Sequence, residues 1–179
     1  MSQFDGREFR NMMGQFTTGV VIATGFHDGE AAGFAAQSFV SLSLDPPLVA
    51  LCPAKTSTSW PKLRASGHFC INILAEDQKP VCDVFAQTGI DKFANLKWDT
   101  DVTGSPVLDG VIGYIDCELE AEHDAGDHVI AVGRVRAFAT RGSGKQPLPT
   151  CRYAGRVSLL RSASNLSRPV GRRRLRRLH

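Results

Sequence analysis

The sequence predicts a mainly antiparallel β-barrel with short peripheral helices, and three observations carry that expectation. Strand-length apolar and β-branched runs dominate the chain, turn residues punctuate them, and the few helical stretches never alternate regularly with strands.

Asp5-x-x-Glu8 has capping-box spacing and opens a helix whose apolar residues Phe9, Met12, Met13 and Phe16 share one face. Gly14 weakens its end. The β-branched run at 20–24 is a strand, His27-Asp28-Gly29 supplies a D-G turn, and 31–35 completes a hairpin. Residues 40–44 alternate apolar and hydroxyl side chains, as in a strand with one face buried, and Pro46-Pro47 punctuates them. Residues 48–52 form a fully apolar strand stopped by Pro53. Residues 60–67 make one or two helical turns, with Pro61 tolerated in the first turn and Gly67 as C-cap. Residues 69–74 return to a strand, and 76–86 are helical, Pro80 limiting or splitting that helix. Strands at 112–121 and 129–135 follow, joined through Gly126-Asp127. No internal repeat is present.

A chain of 179 residues is one ordinary domain with room for a hydrophobic core. Its composition, 42% hydrophobic and 22% charged, excludes a disordered or fibrous protein. No apolar run approaches the roughly 20 residues of a membrane helix. The first residues carry no apolar signal-peptide core, so the expected address is the cytoplasm. The five cysteines are scattered without a C-x-x-C pair and read as reduced packing thiols.

The net charge of +3 hides a division. Seven arginines and no acid lie in residues 161–179, leaving −4 for residues 1–160. Residues 1–160 are therefore expected to form the domain, and 161–179 an Arg-rich, poorly ordered tail.

Three segments carry candidate chemistry. In the stretch from Gly33 to Ser43, small residues admit a flat ligand, and Gln37, Ser38 and Ser41 suit the polar edge of a heteroaromatic ring. A strand with a polar outer face reads the same way. Lys55-Thr56-Ser57-Thr58-Ser59 precedes a helix start and suits a phosphate, or a plain N-cap. His128 follows a tight turn, where an imidazole can lie over a ligand. His123 and His128 lack a third ligand at zinc spacing, so no metal site is expected. Dinucleotide-fold, P-loop and nucleophile-elbow motifs are missing from the sequence.

These segments together resemble a known family. Residues 33–43, Pro46-Pro47-Leu48-Val49, Cys52-Pro53-x-Lys55-x-Ser57-x-Ser59-Trp60, 66–74, Asp91-Lys92-Phe93 and Gly126-Asp127-His128 are similar, in order, to the flavin reductase-like split-barrel flavoproteins. Within that family the likeness is to reductase components of two-component flavin-dependent monooxygenases acting on phenols and related aromatics. It covers about residues 6–140. The resemblance implies a six-stranded antiparallel Greek-key split barrel, a homodimer, FMN or FAD as flavin, and NADH or NADPH as hydride donor. It also implies a partner oxygenase and involves neither nucleic acid nor membrane. It assigns Gln37, Ser38, Phe39, Val40 and Ser41 to the isoalloxazine and ribityl chain, and Ser57 and Ser59, with Lys55 near, to the phosphate. Lys92 and Phe93 close over the flavin, and His128, the catalytic candidate, lies where the nicotinamide stacks. Ala36, Cys52, Trp60 and Tyr153 complete the implied cofactor-binding set.

The match departs from the family after Pro147-Leu148, where Pro149 disfavours a central strand and Val157 stands where an aromatic is common. Three readings compete: a flavin carrier disabled by that altered end, a nucleic-acid or membrane-surface binder working through the arginines of the tail, and a pyridoxamine-phosphate oxidase-like enzyme. The mildly acidic domain speaks against the second, and the Gly-Asp-His and Cys-Pro-x-Lys-x-Ser motifs against the third.

Overall fold

The computed structural model describes residues 5–142 and 144–149. The elements run α1 (Gly6–Met13), β1 (Val21–His27), β2 (Glu30–Ala36), β3 (Val40–Leu44), β4 (Pro47–Leu51), α2 (Trp60–Ser66), β5 (His68–Ile73) and α3 (Lys79–Phe85). They end with β6 (Trp98–Thr100), β7 (Pro106–Leu108), β8 (Gly113–Ala125) and β9 (His128–Thr140).

Local chemistry accounts for most boundaries. Asp5 caps α1, its Oδ1 accepting the backbone N–H groups of Arg7 (2.7 Å) and Glu8 (3.3 Å). Asp28 (φ 51°) and Gly29 (φ 79°) are both left-handed, as a two-residue hairpin turn between β1 and β2 requires. Helix α2 takes Pro61 in its first turn and stops at Gly67 (φ 73°), and α3 likewise accepts Pro80 in its first turn.

Seven strands pair antiparallel in one sheet, in the order β2-β1-β5-β8-β9-β4-β3. They are the seven strands read from the sequence, one more than the six implied by resemblance, and β3 joins only through β4. The two edge strands, β2 and β3, are consecutive in the chain and linked by residues 37–39 alone, which draws the edges together and curls the sheet.

The alternation of β3 does not bury a face. Val40, Leu42 and Leu44 are all exposed, Leu44 to 90%. An edge strand has one neighbour only, and among the described residues no layer lies over Val40, Leu42 and Leu44. The apolar residues Phe9, Met12 and Met13 of α1 are likewise exposed, as is Phe16, which the sequence placed on the same helical face but which lies beyond the helix end at Met13. The small sheet β6–β7 was not legible, because three-residue strands show no periodicity.

The core holds Ile71, Phe69, Leu51 and Leu63 on one side of the sheet and Ile22, Leu74, Phe85 and Leu108 on the other. A buried polar knot joins it to β7. Asn72 Nδ2 donates to Thr24 Oγ1 (2.9 Å) and to the Pro106 carbonyl (3.2 Å), while its Oδ1 accepts from Leu108 N–H (2.7 Å). Near the end of the described residues, Leu148 N–H donates to the Leu74 carbonyl, and Pro149 makes an isolated bridge to Gly19 rather than a continued strand. Tyr153, Cys151 and the Arg-rich segment lie outside the described residues.

Removing the Asn72 carboxamide leaves the Leu108 N–H without its acceptor in a dry interior, while the Pro106 carbonyl keeps the Thr24 hydroxyl. Asn72→Ala is expected to lower unfolding free energy by about 1–3 kcal/mol, the loss for one buried unsatisfied polar group, measured by urea titration.

Candidate functional site

The link between the two edge strands is fastened by one hydroxyl. Ser38 Oγ accepts the Cys52 backbone N–H (2.9 Å) and donates to the Cys52 carbonyl (3.4 Å), tying the 37–39 crossing to the end of β4. Ala36 ends β2 and Gln37 is half-buried. Phe39 turns onto the core, while Val40 and Ser41 are exposed on the edge strand.

The loop after β4 is sewn to the β8–β9 hairpin. Val129 N–H donates to the Pro53 carbonyl (3.0 Å), Lys55 N–H donates to the Asp127 carbonyl (2.9 Å), and Ala54 bridges to His128. His128 therefore stands beside the loop although the two are far apart in sequence. Its Nδ1 lies 2.8 Å from Asp127 Oδ1, which orients the ring. Lys55 forms a 2.9 Å ion pair with Asp124, whose carboxyl is held below its ordinary range by that lysine's hydrogen bond.

The hydroxyl run divides its tasks. Ser57 Oγ accepts the Trp60 N–H (3.1 Å) and so forms the turn into α2, while Ser59 Oγ donates to the Gly33 carbonyl (2.8 Å). The same carbonyl accepts Lys92 Nζ (2.9 Å), which also donates to the Phe85 carbonyl (3.1 Å). Partial burial draws the Lys92 ammonium below its ordinary pKa. Phe93 packs edge-to-face on Phe85, 5.2 Å between centroids.

Trp60 is placed differently from the expectation that it meets a cofactor. Its ring is 4% exposed, packed edge-to-face between Phe34 and Phe69, with Nε1–H donated to Glu122 (2.7 Å). The indole is a core piece, and only its backbone is near the loop. Tyr153 falls outside the described residues.

The sequence-predicted residues thus form two groups. Gln37, Ser38, Ser41, Cys52, Lys55 and His128 gather where the edge strand, the loop and the hairpin meet. Ser59, Lys92 and Phe93 gather at Gly33 and border a 610 Å³ cleft. The far wall of that cleft, with Phe26, Ile90 and Trp98, was missed, since nothing local marks those residues as neighbours. Among the described residues no group of three His, Cys, Asp or Glu is placed to hold a metal ion. Burial, with the Asp116 charge beside it, pushes the Cys117 thiol up to about 12, and Cys70 is raised further by the same causes, so neither is a nucleophile.

Hydroxyls, exposed edge-strand backbone, two ammonium groups and one oriented imidazole fit a planar, polar-edged ring carrying a phosphate. On its fold and site, the molecule is a cofactor-holding antiparallel barrel. The family model of the flavin reductase like domain matches residues 13–157. The chain is 51% identical over 135 residues to the reductase subunit HsaB of a flavin-dependent monooxygenase from Rhodococcus jostii, covering 75% of this chain and 69% of that protein. It is 41% identical over 137 residues to the FMN reductase (NADH) SmoA of Agrobacterium fabrum, covering 76% and 78%. Among solved structures, nitrilotriacetate monooxygenase component B from Mycobacterium thermoresistibile superposes with a TM-score of 0.77 at 47% identity, over 80% of each chain. The chain belongs to the flavin reductase-like family. It is an oxidoreductase whose cofactors are a flavin and a nicotinamide.

A Cβ at Gly33 would meet Phe85 Cε1 at 2.7 Å and the Ala23 carbonyl oxygen at 2.8 Å. Backbone cannot swing aside as a side chain does, so β2 must shift and carry the Gly33 carbonyl away from Ser59 and Lys92. Gly33→Ala is expected to cost about 1–3 kcal/mol of stability by overpacking and to weaken flavin binding. Calorimetry and a flavin titration of the same variant read the two effects separately.

Proposed function

We propose that the chain is the reductase component of a two-component monooxygenase: it reduces FMN or FAD with NADH or NADPH and releases reduced flavin to a separate oxygenase. The sequence resemblance implies phenolic or aromatic compounds as that oxygenase's substrates. The observation that supports the reading best is the stitching of the hydroxyl-bearing edge strand, the 52–59 loop and His128 into one continuous surface.

On this reading, backbone and hydroxyl groups of residues 36–41 and Cys52 hold the flavin ring edge and ribityl chain. Ser57, Ser59, Lys55 and Lys92 face the phosphate, with Phe93 closing the loop side. When bound, the reduced nicotinamide supplies a hydride and the flavin accepts it. The protein's contribution is to stack, orient and shield, so no dedicated proton-transfer pair is needed. His128, steadied by Asp127, stands on the open side of the surface, where it orients the nicotinamide.

A second copy of the chain is part of the reading. Val40, Leu42 and Leu44 on β3, with Phe9, Met12 and Met13 on α1 and Phe16 just beyond it, expose more large apolar side chain than a monomer ordinarily leaves in water. Homodimer formation covers them and walls in the edge strand that holds the flavin. None of the helices among the described residues is long and apolar enough to cross a membrane, and a cytoplasmic setting suits a supply of NADH.

Purified protein is expected to oxidise NADH only when FMN or FAD is added, read as loss of nicotinamide absorbance, with reduced flavin then consumed by oxygen. Tight flavin binding without NADH oxidation would instead mark a carrier. His128→Ala is expected to slow hydride transfer about 10-fold or more while leaving flavin affinity near that of the parent, in keeping with the roughly 10²-fold cost of small misplacement. Normal turnover with weakened flavin binding would remove His128 from the nicotinamide role. Leu42→Glu is expected to yield monomers by light scattering, with flavin affinity reduced because the edge strand loses its cover.

A further inference from the structure

Four carboxylates stand at alternate positions in β8, Glu118, Glu120, Glu122 and Asp124, and each is paired with a cation. Arg136 meets Glu118, and Arg134 meets Glu120 at 2.5 Å, both closing the β8–β9 hairpin on itself. Arg64 approaches Glu122 at 3.6 Å and ties α2 to the sheet. The fourth pair, Lys55 with Asp124 at 2.9 Å, joins the hairpin to the loop after β4.

That last pair differs from the others in both partners. The Asp124 side chain is 86% exposed, against 40% for Glu118, 37% for Glu120 and 23% for Glu122. An ion pair so open to water adds little to the stability of the fold. Its cation is a lysine, a point charge on a flexible stem, where the other three are arginines with a fixed fork. The Lys55 main chain is held separately, by its N–H on the Asp127 carbonyl at 2.9 Å. The ammonium can therefore exchange one anion for another while the loop stays in place. Among the described residues Asp124 is its only ion-pair partner.

We propose that Asp124 is a positioning residue for the reaction. It holds the Lys55 ammonium at the loop when the site is empty and competes with the flavin phosphate for it when the site fills. The phosphate gains Lys55 only by displacing a carboxylate, so the flavin is held less tightly than a free ammonium would hold it, and the reduced product leaves more readily. The proposal rests on the reductase reading for a flavin phosphate at Lys55, and extends it to a carboxylate outside the cofactor-binding set.

The test compares FMN with riboflavin, which has the same ring and no phosphate, in titrations of the full chain. Asp124→Asn is expected to bind FMN about 3-fold more tightly, the scale of an exposed ion pair, with riboflavin affinity unchanged. The KM for FMN falls by the same factor and the KM for NADH does not move. Asp124→Glu restores the carboxylate and is expected to return FMN affinity toward that of the parent. Lys55→Met is expected to weaken FMN but not riboflavin, and adding Asp124→Asn to it changes nothing further, because the carboxylate acts through the lysine. Equal tightening of FMN and riboflavin, no tightening of FMN, or an Asp124→Asn effect that persists in Lys55→Met would overturn the proposal. Unchanged FMN affinity in Lys55→Met would also overturn it, and flavin-dependent NADH oxidation in the parent would still uphold the reductase reading. A parent that neither binds flavin nor oxidises NADH would remove that reading and the proposal with it.

Discussion

Gly33 has no side chain because there is no room for one, and much of the site is organised by that constraint. A side chain on its α-carbon would run into the Phe85 ring and the Ala23 carbonyl, so β2 can lie this close to β1 and α3 only with glycine here. Its carbonyl, aimed outward, then gathers Ser59 from the start of α2 and Lys92 from the loop after α3. Neither donor belongs to the sheet. One backbone oxygen thus fixes two mobile kinds of structure, a loop and a helix start, to a rigid strand. That arrangement suits a binding site, because groups held by the scaffold lose little further freedom when a ligand arrives.

The same economy governs the other end of the surface. The Cys52–Lys55 segment is irregular, yet its backbone is bonded to Ser38 on one side and to the β8–β9 hairpin on the other. Because β8 and β9 are thirteen residues each, the hairpin reaches far enough to bring His128 to the loop. One bulge in each strand, at Glu120 of β8 and Arg136 of β9, re-aims that reach. The cations are local too. Lys55 is balanced by Asp124, so the surface is not strongly charged, and a ligand phosphate competes with a carboxylate for it. Such a site favours positioning over tight electrostatic capture, which agrees with an enzyme that must let its reduced product go.

Much of this was legible in the sequence, for physical reasons that differ by element. The D-G turn, Pro61, Gly67 and Pro80 each force a backbone geometry, and the structure obeys all four. Seven strands followed from residue pattern because strands in a barrel are long enough to show a period. What could not be read depends on distant contact. Asn72 sits in an otherwise apolar strand, and only the approach of β7 explains a carboxamide there. Trp60 follows a hydroxyl run that looks like a ligand loop, but Glu122 on β8 draws its indole inward. Phe26, Ile90 and Trp98 come from three separate segments that meet only when β6 folds against β1.

The reading of β3 shows why pattern and environment must be kept apart. A bulge at Leu42 interrupts the sequence alternation in the folded strand: Ser41 pairs with Val49 and Ser43 with the adjacent Leu48, so the two serines lie on opposite faces. Val40, Leu42 and Leu44 all stay exposed among the described residues, so the buried face that the sequence period predicts is not formed there. An uncovered edge strand of this kind invites association, and here it is also the strand that carries Ser41. Under the dimer reading, covering that strand stiffens it. Assembly and cofactor binding then share one edge strand, and a change that disturbs β3 is felt in both.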